Sequence, residues 1–576
     1  MTIYTNFISR GYFPKELPPS FFTDHFAAFA ASKGGRSVLA SYKPTDNFTE
    51  CVKYNLALPG LQDRQLRIPH PFAFARLAQL AARNMQRLLK KAGRSPFARS
   101  RPVYVTRQRR SVRTLYKPTN LARERSLSRG GSSYVLKVDV SQYYPSLYTH
   151  AVGWAVDKKL RERAHWSNNA LLGKQIDQSL MNLQGKVSQG IPIGNDISFL
   201  LAEVVLSEVD RSLGVPADRA FRWFDDYEFG CDTRDDAEHL LSRLQRELER
   251  FKLRINPRKT QILEPPRAAA DEWHDSLLDA SKRAASSPHA MVRFFDVAFG
   301  LAEQFREVPV LLYAIGALFR FTQLRPEVLR VAESCITQAL LSEPGCAQKG
   351  FALLKYWQVN GGILSSKLIG RTIEQLVRRH RRRDSSSDIA WGLTFCISEG
   401  LVLPKTVGRE LSEAEDDVGC ILSLHAHSAG LLAGYSAQKV EKRLAQASPD
   451  GDHWLSLYES VRQGFLPDLW PVVAGNELMA PMLAQEVAFY RPTLKPYSMI
   501  LHSGGAPDWV AQKWISDLRK TEPLRLLETF PGNAFLAALG TEVDDLPHDE
   551  KNDAEVILEL LGHTEVEAFE FAGPYV

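Results

Sequence analysis

Phe221-Arg222-Trp223-Phe224-Asp225-Asp226-Tyr227-Glu228-Phe229 sets two adjacent acids inside a run of aromatics. The flanking segments Ala220–Phe224 and Tyr227–Cys231 have the composition of strands, so the acids are predicted at the tight turn of a hairpin. Neighbouring carboxylates repel, and no fold gains stability by presenting them at the ends of apolar strands without a cation. About 86 residues upstream, the apolar run Tyr134-Val135-Leu136-Lys137-Val138 ends on a third carboxylate, Asp139, with Tyr144 five residues later. Mg²⁺ takes one or two carboxylates plus substrate phosphates and would resolve the repulsion. Two such ions about 3.5–4 Å apart would stabilise an attacking 3′ oxygen and a leaving pyrophosphate.

Two further pieces lie outward from this pair. Between the acids sits Val187-Ser188-Gln189-Gly190-Ile191-Pro192-Ile193-Gly194, a loop whose backbone can approach a planar ligand closely, followed by a predicted helix over Ile197–Arg211. Beyond the double acid comes Leu253-Arg254-Ile255-Asn256-Pro257-Arg258-Lys259-Thr260, a short predicted β segment with a lysine placed to reach a leaving phosphate. Strands are also predicted at Pro102–Thr106 and Tyr134–Val140, and a helix at Arg234–Phe251.

These four pieces, in this order, resemble the palm motifs of reverse transcriptases. Trp223 stands where the retroviral pattern has Tyr. Arg10-Gly11-Tyr12-Phe13-Pro14-Lys15-Glu16-Leu17-Pro18-Pro19, Ile68-Pro69-His70-Pro71-Phe72, Asp139 to His150 and Phe224 to Glu228 narrow the likeness. They are similar to the abortive-infection (Abi) group, also called unknown-group or defence-associated reverse transcriptases. The resemblance covers about residues 8–263. It implies anti-phage defence, synthesis of DNA from dNTPs and, in several members, priming from a protein hydroxyl without a conventional template.

The resemblance also implies roles. Asp139 and Asp225 would hold two Mg²⁺ ions, with the Val140 carbonyl assisting, Asp226 auxiliary, and Mn²⁺ able to substitute. Tyr144 aligns with the aromatic that collides with a 2′-hydroxyl, and Gln189 would line the nucleotide pocket. Arg110 and Arg113 would hold the triphosphate, and Lys259 would protonate pyrophosphate. If a protein hydroxyl is the primer, Tyr575, next to the C-terminal residue, is a candidate on steric grounds. A second reading is a conventional RNA-templated enzyme, retron- or intron-like, copying a dedicated RNA; no HNH-like or zinc-ribbon pattern follows the palm to favour the intron form. A third is a catalytically silent nucleic-acid-binding scaffold.

Charge fits a polyanionic partner. The 576 residues carry 72 Lys+Arg against 66 Asp+Glu, yet the segment Lys53–Lys137 holds twenty Lys/Arg and two acids, interleaved with aromatics. The segment Thr541–Val576 reverses this with eleven acids and one lysine, and reads as a solvated end. The hydrophobic fraction of 44% and charged fraction of 24% exclude collagen-like, coiled-coil and wholly disordered chains.

After Glu264-Pro265-Pro266 the texture becomes helical, with Pro309, Pro326 and Pro344 spaced 17 and 18 residues apart. One helix pair per 35 residues or so suits a HEAT-like repeat, with an irregular bundle as the alternative. The expected architecture is therefore an α+β fingers and palm domain over 1–265, an all-α repeat-like domain over 266–540, and an acidic segment over 541–576. A repeat surface would suit self-association into a homo-oligomer. The six cysteines show no paired spacing, which fits a reducing cytoplasm. The N-terminal stretch has no apolar core of signal-peptide length. The uncharged stretch Val418–Gln438 carries His425, His427 and three glycines and reads as a buried helix rather than a membrane span. His425 and His427, two apart on a helix, do not share a face and are not expected to bind metal. Asp416 and Asp417 are expected to begin that helix.

Overall fold

The computed structural model describes residues 1–502 apart from 43–47, 60–62, 107–109, 266–271, 384–385 and 495–497. The expected 541–576 segment and Tyr575 lie outside the described residues, as do 266–271 at the expected start of the all-α domain. Among the described residues, eight strands occupy the first half. Two separate antiparallel hairpins come first: β1 (Val52–Leu56) with β2 (Arg64–Ile68), and β3 (Pro102–Tyr104) with β4 (Val112–Thr114). The main sheet has the order β6-β7-β5-β8, built from β5 (Tyr134–Asp139), β6 (Ala220–Trp223), β7 (Asp226–Cys231) and β8 (Gln261–Leu263). All its pairs are antiparallel. The helix Asp196–Leu213 is buried along most of its length, and Arg234–Glu249 buries Ala237, Leu240, Leu244 and Leu248 on one stripe. Leu-rich stripes at helical spacing bury apolar area that a strand period could not.

From Glu272 onward every regular element among the described residues is helical. The helices stack in two rows. One runs Pro288–Gln304, Pro326–Ser342, Ser366–Arg383 and Lys405–Leu411; the other runs Val310–Leu318, Ala347–Val359, Ser387–Glu399, Asp417–Ser428 and Trp454–Arg462. Each helix packs on the next member of its own row. Starts in the first row lie about 38–40 residues apart, close to the 35 expected from proline spacing. The stretch Val418–Gln438 does not form one helix: the chain turns at Gly430, whose φ is 74°. Asp416 caps the helix as expected, accepting from the Gly419 N–H at 2.7 Å. Among the described residues no helix is long and apolar enough to cross a membrane.

Among the described residues, the two halves contribute to one continuous core. Residues near the start of the chain are built into the helical half: Phe22 N–H donates to Phe489 O, and the Trp391 indole donates to Glu16 O. Strand β1 is capped by Ser386 and Ser387, whose hydroxyls accept from Asn55 and Ala57 N–H. All six cysteines are buried and unbridged.

The basic block is less free than its sequence implies. Arg87, Arg94, Arg99, Arg110, Arg125, Arg129 and Lys137 each pair with a carboxylate, most of them supplied by residues 157–228. Glu228 alone gathers Arg125, Arg129 and Lys137.

Candidate active site

Antiparallel pairing of β5 with β7 sets Asp139 directly opposite Asp226. The next residue along each strand end locks the pair: Val140 N–H donates to Asp225 O at 3.2 Å. Asp139 and Asp225 are buried. Burial, and then the negative charge of Asp139, push the Asp226 carboxyl up to about 6. Lys259 Nζ lies 3.3 Å from Asp139 Oδ2. Burial works against the Lys259 charge, yet Asp139, followed by Asp226 and Asp225, holds it above the usual lysine range. The segment carrying Lys259 is fastened beside Asp139 by Asn256 N–H donating to Asp139 O at 2.7 Å.

The Asp225 turn is strained and buttressed. Phe224 adopts φ 52°, a left-handed conformation unfavourable for an aromatic residue. Its N–H donates to Ser100 Oγ at 2.9 Å, and its carbonyl accepts from Arg222 Nη1 at 2.7 Å. Arg222, wholly buried, is met by Asp210 at 2.8 Å and by Glu203 at 3.0 Å. Tyr227 donates to the other Asp210 oxygen at 2.9 Å. Sequence reasoning missed this network. Its signal was visible, since Arg222 is a charge inside an apolar strand and such a residue is almost never buried unless paired.

The Gln189 loop folds against the turn that follows Asp139. Ile191 N–H donates to Tyr144 O at 3.1 Å and Gly190 N–H to Leu147 O at 3.0 Å. Gly190 has φ 81°, and a Cβ there would sit 3.0 Å from Pro145 O, so backbone meets backbone at this contact. Gln184, absent from the sequence reading, holds the loop from within by donating to Val187 O and Gly190 O. The Gln189 side chain is exposed. Of the two tyrosines, Tyr143 belongs to the core and donates to Ala202 O at 2.7 Å, while Tyr144 is half-buried. Burial raises the Tyr144 hydroxyl above its ordinary range, and the positive charge of Arg64 on β2 acts against that rise. Arg64 is a second residue the motifs did not flag.

Arg110 is placed differently from the expectation. Its guanidinium is bound by Asp196, with Nε at 2.8 Å, by Phe13 O at 2.7 Å and by Gly194 O at 3.2 Å. Asp196 also accepts from Ser111 N–H, Ser111 Oγ and Val112 N–H. Arg110 thus ties the β3–β4 hairpin to the start of the Asp196–Leu213 helix, and a triphosphate would have to compete with a carboxylate for it. Arg113, on β4, is exposed. His425 shares a hydrogen bond with the Tyr490 hydroxyl at 2.7 Å, away from these residues.

Among the described residues no three metal-ligating side chains are gathered closely enough to close a cation site unaided. Mg²⁺ does not need that, because water and substrate phosphates complete its shell. The burial and the neighbouring Asp139 charge that lift Asp226, with Lys259 drawn to Asp139, mark an acidic edge suited to a cation.

Residues 75–281, which contain this sheet and all the acids above, match the family model for reverse transcriptase (RNA-dependent DNA polymerase). The chain therefore carries a reverse-transcriptase domain and is an enzyme of the DNA polymerase class, a nucleotidyltransferase acting on nucleotides and nucleic acid. Among solved structures, that of apo telomerase from Candida tropicalis is similar at a TM-score of 0.29 and 11% sequence identity, covering 62% of this chain and 67% of that one. No curated relative matches the chain.

Proposed function

We propose that this chain is a Mg²⁺-dependent DNA polymerase of the abortive-infection type, primed by a protein hydroxyl and working without a conventional template in anti-phage defence. The observation that carries the catalytic part is the juxtaposition of Asp139 with Asp226 across β5 and β7, with Asp225 fixed to Val140 beside them. Asp139, Asp225 and the Val140 carbonyl would hold the ions, with Asp226 auxiliary. When bound, the ions lower the cost of charge on the attacking 3′ oxygen and on the leaving pyrophosphate. The chain's own groups do the rest. Tyr144 excludes a 2′-hydroxyl, Gln189 lines the nucleotide site, Arg113 meets the triphosphate, and Lys259 delivers a proton to pyrophosphate.

The defence role and protein priming are supported by the motif likeness at Arg10–Pro19, Ile68–Phe72 and Asp139–His150. The stacked helix pairs beyond residue 272 support a HEAT-like second domain and a surface for self-association. Six buried free cysteines suit a cytoplasmic location. Tyr575 is the proposed primer.

Purified protein incubated with Mg²⁺ and each labelled dNTP or rNTP, with and without RNA template, tests the reading on a denaturing protein gel. Label travelling with the protein, independent of template and absent in Asp225→Ala/Asp226→Ala, is expected. Free DNA formed only with template and primer would replace it with a conventional RNA-templated enzyme copying a dedicated RNA. Label that persists in Tyr575→Phe would remove that tyrosine as primer.

A further inference from the structure

At the far end of the Asp196–Leu213 helix from the Gln189 loop, the C-terminal ends of three α-helices and the short turn Lys158–Arg161 converge around a small concavity of about 120 Å³. Ser198 and Ser212 on that helix are separated by roughly 20 Å at 1.5 Å per residue, so the concavity lies well away from that loop. It is lined by two aromatics, Trp154 and the buried Phe251, and by three cations, Lys158, Arg161 and Arg250. One acid, Glu208, faces the same space, and it is already saturated. Lys158 approaches it at 3.1 Å, Arg211 at 3.1 Å and Arg94 at 3.2 Å. Arg250 is paired with Glu247 on its own helix at 2.7 Å.

Arg161 stands apart from these. Its guanidinium carbon sits 4.6 Å above the Phe251 ring, and among the described residues no carboxylate lies within ion-pairing distance of it. Burial, and then the like charge of Arg250, work against its own charge, and the nearby carboxylates of Glu208 and Glu247 offset this only in part. A helix C-terminus favours a cation nearby, but that does not explain why arginines crowd one another beside two aromatic rings. An anion placed between Arg161 and Arg250 would relieve their repulsion and receive planar, charge-assisted hydrogen bonds. Trp154 beside it offers a face on which a base can stack.

We propose that this concavity is a second phosphate-binding site, remote from the polymerase carboxylates, which takes a nucleotide phosphate with its base against Trp154. The phosphate can come from a single strand or from a free nucleotide, and the site binds whether or not the acids catalyse.

Photo-cross-linking of the full-length protein separates the sources. One arm uses a single-stranded DNA oligonucleotide bearing 4-thiothymidine; the other uses 8-azido-dATP. Adducts are mapped by mass spectrometry in wild type, Arg161→Ala/Arg250→Ala and Arg161→Lys/Arg250→Lys. The expected result is an adduct at Trp154 or Phe251 from at least one probe, reduced about tenfold or more in the alanine pair. The lysine pair should retain much of it, and adducts elsewhere in the chain should persist in both pairs, showing that the variants fold. Labelling by the oligonucleotide assigns the site to a strand; labelling by the azido-nucleotide alone assigns it to a free nucleotide. No adduct at Trp154 or Phe251 from either probe, or one that survives in the alanine pair, overturns the site and leaves these cations as helix-end counter-charges.

Discussion

Asp139 and Asp226 are opposed across two strands, so burial and the charge of Asp139 make the Asp226 charge harder to hold, and Lys259 is drawn in against Asp139. The neighbouring tyrosines divide the work in a way their adjacency conceals: Tyr143 is spent on the core, leaving Tyr144 half-exposed at the turn clasped by Ile191. If Tyr144 is the group that meets a 2′-hydroxyl, Tyr144→Ala opens that space. The expected result is a rise of about tenfold to a hundredfold in the ratio of kcat/KM for ribonucleotides over deoxynucleotides. An unchanged ratio would return Tyr144 to a packing role. The acids were legible in the sequence because carboxylates at the ends of apolar runs have few structural uses. Arg110 was not, because spacing gives a residue's type and neighbourhood but not its partner. Asp196, 86 residues away in sequence, claims it.

The hairpin that carries Asp225 owes its shape to residues the motif does not contain. Phe224 holds φ 52° because Ser100 and Arg222 take up its N–H and carbonyl. Arg222 in turn is kept in the interior by Glu203 and Asp210 on the helix behind. Removing one member of a buried ionic network leaves the others desolvated and unpaired. Arg222→Leu is therefore expected to cost about 3–5 kcal/mol in urea unfolding and to lower incorporation even where the protein remains folded. The alternative outcome, a loss under about 1 kcal/mol, would mean that the two acids find other partners. Element types were legible from periodicity: the strands expected at Tyr134–Val140 and Tyr227–Cys231 form within a residue of those limits. The β1–β2 hairpin was not, since a short, charged, weakly alternating pair gains its stability from the helices packed over it. The free basic face expected over 53–137 was overstated for a related reason. A local charge count cannot see acids that the fold brings back from elsewhere in the chain.

The molecule as a whole is tied together where the start of the chain meets the helical rows. Phe489 is the central ring of that seam, with its centroid 5.9 Å from Phe13, 5.7 Å from Phe26 and 5.3 Å from Trp454. Its N–H donates to Glu459 Oε1 at 2.6 Å, and Gln463 donates to the other oxygen at 2.9 Å. Glu459 is fully buried, and burial pushes its carboxyl up to about 7 despite those donors. The folded state therefore keeps a proton that the unfolded state releases near the ordinary 4.5. This group's contribution to stability is fully present below about 4.5 and declines as pH rises toward about 7, by at most about 1.4 kcal/mol per pH unit. Glu459→Gln keeps an acceptor for Phe489 but cannot ionise, so it removes that slope. Urea midpoints of both proteins at pH 5, 6, 7 and 8 read this directly. The variant is expected to gain on the wild type from pH 5 to 7, with only a small further gain to pH 8. Glu343, pushed up to about 7 by burial, and His70, pushed down to about 3 by burial, titrate in both proteins and cancel in the difference. Parallel profiles would mean that Glu459 is already ionised at the seam and contributes no pH dependence to the join.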